Sequence, residues 1–188
     1  SANRDIAAGV SRSEGVDQMR SSDYSVQIGS VVLPNPIMTA SGTAGHGAEL
    51  AAYVDLSELG AVVVKSLSAE PWSGNPAPRV HGTPAGMINS VGLQNPGIDS
   101  WINNDLPALI DHGARVVASI WGKSVAEYRE AATRLAGIDG IVAVEVNVSC
   151  PNLEEKGDMF SHAPDTCRLA IEASLVAGLP LWAKLSPN

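Results

Sequence analysis

The chain is poor in cysteine, in basic residues and in long apolar runs, and each shortage argues against a class of protein. Its two cysteines, Cys150 and Cys167, have no CxxC or CxxH neighbours, and its four histidines lack metal-ligand spacing, so we expect neither a disulfide framework nor a metal site. The formal net charge of −8 argues against a nucleic-acid partner or an anionic membrane surface. No apolar run reaches the ~18 residues of a transmembrane helix and no signal peptide is visible, so we expect a cytoplasmic protein.

What remains is the composition of an ordinary globular domain. The 188 residues are 45% hydrophobic, with 18 Gly and 12 Pro, which is enough chain for one domain with its own core. Residues 1–24 are polar and charged without periodicity, and we interpret them as a flexible N-terminal extension. Residues 25–188 form the domain.

Strand and helix patterns alternate along this domain, which predicts an α/β fold with a parallel sheet. A short strand pair is expected between Ser25 and Leu33. The expected helices span 49–59 and 99–110, and two more begin at the capping box of Ser124 and at Pro164. Asp99 would cap the helix over 99–110, and Pro107 would bend or interrupt it. The expected sheet strands lie near 37, 62, 117, 143 and 181. An open doubly wound sheet remains an alternative. Polar residues follow every strand instead of clustering at one switch point, which favours a barrel; they are Ser41, Lys65, Ser119, Asn147 and Lys184.

The segment from Ile141 to Asn152 organises the rest of the chain. Its first half is a β-branched run typical of a strand buried on both faces, and Pro151 then prevents the ladder from continuing. The polar second half would lie at the carboxyl end of the strand, where barrels bind ligands. Cys150 is therefore a candidate nucleophile or base, or alternatively a small buried apolar residue. Cys167 falls on the apolar stripe of the following helix, which predicts a core position.

Two further features indicate a small-molecule site. Lys65 closes an apolar strand and would face an anion at the barrel mouth. Segment 67–98 is a long loop rich in Pro and Gly, and Asn89, Gln94 and Asn95 offer neutral donors and acceptors in it. The alternative for these amides is a set of Asx turns.

Glu145 lies two residues before Asn147, so the strand period of two points both side chains into the predicted interior. A buried carboxylate needs a partner. We therefore expect Glu145 to pair with Lys65 or Lys184.

Six segments in this order resemble dihydroorotate dehydrogenases: N-P-I-M-T-A-S-G at 35–42, V-V-K-S at 63–66, P-R at 78–79, I-N-S-V-G-L-Q-N-P-G at 88–97, E-V-N-V-S-C-P-N at 145–152 and K-L-S-P-N at 184–188. Cysteine at position 150 of the fifth segment is the residue that the soluble class 1 enzymes have there. The segment G-L-Q-N-P-G is most similar to that of the class 1B catalytic subunit. The resemblance implies a TIM (β/α)8 barrel, of which this chain carries about the first five βα units. It also implies FMN-dependent oxidation of dihydroorotate to orotate in de novo pyrimidine biosynthesis.

The resemblance assigns roles to individual residues. Cys150 would take a proton from C5 of dihydroorotate while hydride passes from C6 to flavin N5, and a thiolate favoured by a nearby cation suits that task. The substrate-binding residues would be Lys65, Asn89, Ser90, Val91, Gly92, Leu93, Asn147 and Asn152. The FMN-binding residues would be Ser41, Lys65, Ser66, Ser119, Asn147 and Lys184. Ser119 stands where class 1B members commonly have Asn, so this contact departs from the family pattern.

The resemblance also implies partners, namely a homodimer of catalytic subunits and an electron-transfer subunit with FAD and an iron–sulfur cluster. The chain ends after five predicted strands, so the loops that hold the FMN phosphate would lie outside it, whether it is a fragment or a truncated product. We expect such a piece alone to be unstable and to hold FMN poorly. Two alternatives remain: a related FMN barrel reductase of dihydropyrimidines, and a non-catalytic barrel fragment that binds a partner chain.

Overall fold

A computed structural model describes residues 24–149 and 160–186. The predictions for residues 1–23, for Cys150 and for Asn152 lie outside the described residues. The strands are β1 Val26–Ile28, β2 Val31–Leu33, β3 Val62–Val63, β4 Val80–Thr83, β5 Gly86–Asn89, β6 Val116–Ile120, β7 Ile141–Asn147 and β8 Leu181–Lys184. The α-helices are α1 Ile98–Asn104, α2 Leu106–Asp111, α3 Val125–Leu135 and α4 Pro164–Ser174.

A four-stranded parallel sheet in the order β3-β6-β7-β8 carries the fold, as the alternating pattern predicts. Each strand lies beside the strand that precedes it in this series, with no reversal of order. The strand predicted near residue 37 is reduced to one parallel bridge between Met38 and Ala61. The described strands form no closed barrel, so the arrangement shown is an open parallel α/β sheet.

One face of the sheet is apolar at the amino ends of its strands and polar at their carboxyl ends. At the amino ends, Val63, Val117 and Ala143 are buried against Leu33 of the β1–β2 hairpin. This antiparallel hairpin turns at Gly29, whose φ of 60° suits glycine, and it confirms the predicted strand pair. Because the hairpin covers only the amino end of this face, the carboxyl end remains available to a ligand.

The opposite face packs against the helices. Tyr128 and Leu135 of α3 are fully buried there. The N-cap residue of α3 is Ser124, whose Oγ accepts from the backbone N–H of Glu127 at 3.3 Å. The Glu127 carboxylate in turn accepts from the N–H of Lys123 at 2.7 Å, one residue earlier than a standard capping box. In α4, which begins at Pro164 as predicted, Cys167 packs partly buried against the core.

The predicted helix over 49–59 is wrong. Two short 3-10 helices, Glu49–Ala52 and Leu56–Glu58, replace it, and Tyr53 is 84% exposed. Asp55 causes the break, because its carboxylate accepts from both the backbone N–H and the hydroxyl of Ser57 and holds the backbone extended.

Two other local predictions need correction. Helix α1 begins at Ile98 with Gly97 as its N-cap residue, so Asp99 is in the first turn and is not the cap. The interruption expected from Pro107 is confirmed, because α1 ends at Asn104 and α2 starts two residues later. The segment 67–98 is not irregular throughout, since it contains the antiparallel β4–β5 hairpin. None of the described helices is long and apolar enough to cross a membrane.

Candidate active site

An open cavity of about 740 Å³ lies at the carboxyl ends of the parallel strands. Small-molecule sites typically measure ~300–1,000 Å³. Its lining residues come from the strand ends, from the loop before α1 and from the β4–β5 hairpin: Ser41, Gly42, Thr43, Lys65, Ser66, Trp72, Asn75, Val80, Met87, Asn89, Ser90, Val91, Gly92, Leu93, Trp121, Asn147, Ser149 and Lys184.

This cavity gathers most of the residues that the sequence analysis proposed. Of the 13 predicted site residues, Cys150 and Asn152 lie outside the described residues, which leaves 11. Ten of these line the cavity, and the eleventh, Ser119, is fully buried beneath the lining. Ser149, the neighbour of Cys150 in sequence, is among the lining residues.

Two lysines bring positive charge to the cavity. Lys184 donates from Nζ to Ser41 Oγ at 2.9 Å, which ties the end of β8 to the segment after Met38. Burial, and then the charge of Arg79, lowers the pKa of Lys65. Within the described ranges the Lys65 ammonium group has no hydrogen-bond or ion-pair partner. An anionic ligand beside it would offset the cost of this unpaired charge.

Side chains of segment 67–79 donate hydrogen bonds to the backbone of the loop that follows β5. Trp72 donates from Nε1 to the carbonyl of Gly92 at 2.9 Å, and Asn75 donates from Nδ2 to the carbonyl of Ser90 at 2.8 Å. Gly92 and Leu93 both have positive φ, 72° and 59°. Since Leu93 is an unusual residue for this conformation, the turn is determined by its supports and not by local preference.

The expected ion pair of Glu145 with Lys65 or Lys184 is wrong. Glu145 instead accepts a hydrogen bond from Ser119 Oγ at 2.7 Å. The strand register explains the difference: Lys184 lies opposite Asn147, whereas Glu145 lies opposite Trp182 and Ser119.

Sequence reasoning missed an aromatic wall. Trp72 and Trp121 both line the cavity and meet edge to face, with ring centroids 6.1 Å apart, and Lys123 Nζ lies 3.4 Å from the centroid of the Trp72 ring. Trp121 directly follows β6, so the rule that functional residues follow strands would have found it. Trp72 lies in the Pro- and Gly-rich segment, where no periodicity predicts its position.

A second, open cavity of about 860 Å³ shares Lys65 and Trp72 with the first and is also lined by His46, Glu49 and Asp105. Burial, and then the charge of Lys65, lowers the pKa of His46, whereas burial and the charge of Glu49 raise the pKa of Asp105. Its two carboxylates disfavour an anionic ligand. No cluster of three His, Cys, Asp or Glu in the described part of the chain could hold a metal ion.

The fold and the site together define a class. A parallel α/β sheet with sequentially ordered strands and a polar cavity beyond their carboxyl ends is the arrangement in which α/β-barrel enzymes bind small ligands. Within this class, the chain belongs to the dihydroorotate dehydrogenase family, whose family model matches residues 24–188.

Three relatives share the name "dihydroorotate dehydrogenase B (NAD(+)), catalytic subunit". The protein of Geobacter sp. (strain M21) is 43% identical over 171 residues, which cover 90% of this chain and 56% of that protein. Those of Thermoanaerobacter pseudethanolicus and Desulforudis audaxviator are 46% and 48% identical over 164 residues, 87% of this chain and 54% and 53% of theirs. The chain therefore spans about half the length of the relatives that it matches.

Proposed function

We propose that the chain is part of an FMN-dependent dihydroorotate dehydrogenase and contributes the first βα units of a (β/α)8 barrel. The enzyme oxidises dihydroorotate to orotate in pyrimidine biosynthesis. One observation carries the proposal: ten of the 11 described residues that the family resemblance assigns to substrate or cofactor line a single cavity. Chance would scatter residues drawn from positions 41 to 184 over the surface.

The described residues fit a flavin. Ser41 and Lys184 would supply hydroxyl and ammonium donors for carbonyl oxygens and ring nitrogens, with Ser66 beside them in the cavity lining. Lys65 would serve flavin and substrate together. Gly42 has φ 90° and no atom within 4 Å of the position that a Cβ would occupy, so the backbone beside Ser41 leaves room for a ligand. Bound FMN would supply the hydride acceptor. A lysine beside it stabilises negative charge that develops during the reaction.

The other residues position the substrate and move a proton. Lys65 holds the anionic substrate, while Asn89, the backbone of the Gly92 turn and Asn147 provide donors and acceptors that orient it. Cys150 acts as the base at C5. Its neighbour Ser149 lines the cavity, and a thiolate near cationic Lys65 would have a lowered pKa.

The proposal includes two protein partners. Because the relatives are named as NAD(+)-dependent catalytic subunits, a separate electron-transfer subunit with FAD and an iron–sulfur cluster would pass electrons onward. The catalytic subunit would itself form a homodimer. Mass measurements on the purified full-length protein, alone and co-expressed with the proposed electron-transfer subunit, test both.

The experiment measures bound flavin and dihydroorotate oxidation in the full-length protein. Replacing the base, Cys150→Ala, should lower kcat at least about 100-fold with flavin retained, as expected for loss of a general base. Lys65→Met should raise KM and lower kcat, because it removes the only ammonium group that is proposed to contact both ligands.

Lys123→Met is the matched control, since Lys123 lies over the Trp72 ring and is not part of the cavity lining. It should leave both constants within about twofold. Oxidation of dihydroorotate that is unaffected by Cys150→Ala would contradict the assignment of the base. Turnover of a dihydropyrimidine in place of dihydroorotate would favour the related reductase.

A further inference from the structure

A series of hydrogen bonds runs from the cavity lining to Glu145, a residue with no part in the reaction proposed above. Ser119 Oγ donates to Glu145 Oε1 at 2.7 Å, the hydroxyls of Ser66 and Ser119 are 2.8 Å apart, and Asn147 Nδ2 donates to Ser66 Oγ at 2.9 Å. Ser66, Ser119 and Asn147 are all at least 97% buried.

The donor and acceptor of every hydrogen bond in this series follow from the chemistry of Glu145. An ionised carboxylate can only accept, so the single proton of Ser119 is committed to it. Ser66 must then donate its own proton to Ser119. The Ser66 oxygen is left to accept, and the group that faces it must be the NH₂ of Asn147.

Contacts on the other side of the Asn147 amide favour the same orientation. The backbone N–H of Ser149, which can only donate, lies 3.2 Å from Oδ1, and the Ser149 hydroxyl donates to the same oxygen at 2.7 Å. The Tyr128 hydroxyl donates to the backbone carbonyl of Asn147 at 2.7 Å and holds the main chain in place. The contacts on the Glu145 side and those on the Ser149 side therefore favour the same one of the two orientations of the Asn147 amide.

We propose that Glu145 is a positioning residue that sets the orientation of the Asn147 amide through Ser119 and Ser66. Without the Ser119 hydroxyl the Ser66 proton loses its acceptor, and without the carboxylate the Ser119 proton is free to turn to Ser66. In both cases the Ser66 hydroxyl can donate towards Asn147, which opposes the orientation that the Ser149 contacts favour. A flip would exchange donor and acceptor in the cavity wall. The effect on dihydroorotate or orotate rests on the proposed function, whereas the orientation itself does not.

The orientation can be tested without ligand, from the side-chain amide signals of Asn147 in ¹⁵N NMR spectra of the full-length protein. Ser119→Ala and Glu145→Ala should both shift these signals. Glu145→Gln should restore them, because its amide oxygen can accept the same bond from Ser119. The matched control is Ser174→Ala, since Ser174 is also fully buried and donates to the Ala170 carbonyl at 2.8 Å, but lies in α4 away from the cavity.

Orotate affinity provides the second measurement. Ser119→Ala and Glu145→Ala should weaken binding about tenfold, equivalent to ~1.4 kcal/mol, while Glu145→Gln and Ser174→Ala should stay within about twofold of the parent. Asn147 signals that do not respond to Ser119→Ala or Glu145→Ala would overturn the inference, as would equal losses of affinity in Ser119→Ala and Ser174→Ala. Responsive signals in a protein that binds no orotate would refute the proposed function and support the positioning role.

Discussion

Gly92→Ala tests whether the turn after β5 requires glycine at this position. Gly92 has φ 72°, and an added Cβ would lie 2.8 Å from both the backbone nitrogen and the Cγ of Asn75. Two costs follow. The left-handed backbone costs alanine ~1–2 kcal/mol, and forcing atoms apart in a well-packed site typically costs a further ~1–3 kcal/mol.

Gly137→Ala separates these two costs. Gly137 has φ 74°, almost the same backbone conformation, but nothing lies within 4 Å of its added Cβ. Gly137→Ala should therefore lose only the stability that the left-handed backbone costs alanine. We expect Gly92→Ala to lower the free energy of unfolding by about 2 kcal/mol more than Gly137→Ala does, since the extra contact is the main difference between the two sites.

Urea unfolding of the full-length protein measures this difference, and orotate binding measures its consequence. Relief of the Asn75 clash must move the turn, which displaces the Gly92 carbonyl from Trp72 Nε1. We expect Gly92→Ala to weaken orotate binding at least about tenfold, whereas Gly137→Ala should not affect it. Equal losses of stability in the two variants, or unchanged affinity in Gly92→Ala, would refute the reasoning.

Three other predictions follow from single side chains. Ser124→Ala removes the N-cap of α3 and should cost about 1 kcal/mol in urea unfolding; an unchanged midpoint would show that the Glu127 contact suffices. Orotate affinity should fall as pH rises through the Lys65 pKa, which lies below 10.5, and Lys65→Arg should extend binding to higher pH; binding titrations that coincide for both forms would contradict this. Because the folded state raises the Asp105 pKa, ionisation there costs stability above that pKa, so Asp105→Asn should stabilise the protein at pH 7 and the gain should vanish below pH 3.8, where both states are protonated.

Much of the fold could be predicted because its signals are local. The β-branched runs at β6 and β7, the cap at Ser124 and the proline that begins α4 each have a periodicity or a terminus that depends on neighbours in sequence. The prediction for 49–59 was wrong because the apolar spacing suits a helix, whereas the Asp55 carboxylate accepts a hydrogen bond from the Ser57 backbone N–H and interrupts it. That competition depends on one hydrogen bond, which an apolar pattern does not report.

The candidate site also has features that the sequence predicts and features that depend on tertiary contacts. By itself the sequence determined the family and the candidate site residues, since motifs from positions 35 to 188 resemble one family and the order of strands and helices puts their polar residues at one edge of a sheet. Only the tertiary structure decided which of them touch. Strand register places Lys184 opposite Asn147 and leaves Glu145 to Ser119, and the Trp72–Trp121 wall joins residues 49 positions apart. Register and packing are set by contacts between distant segments, and no local pattern encodes the distance between two side chains.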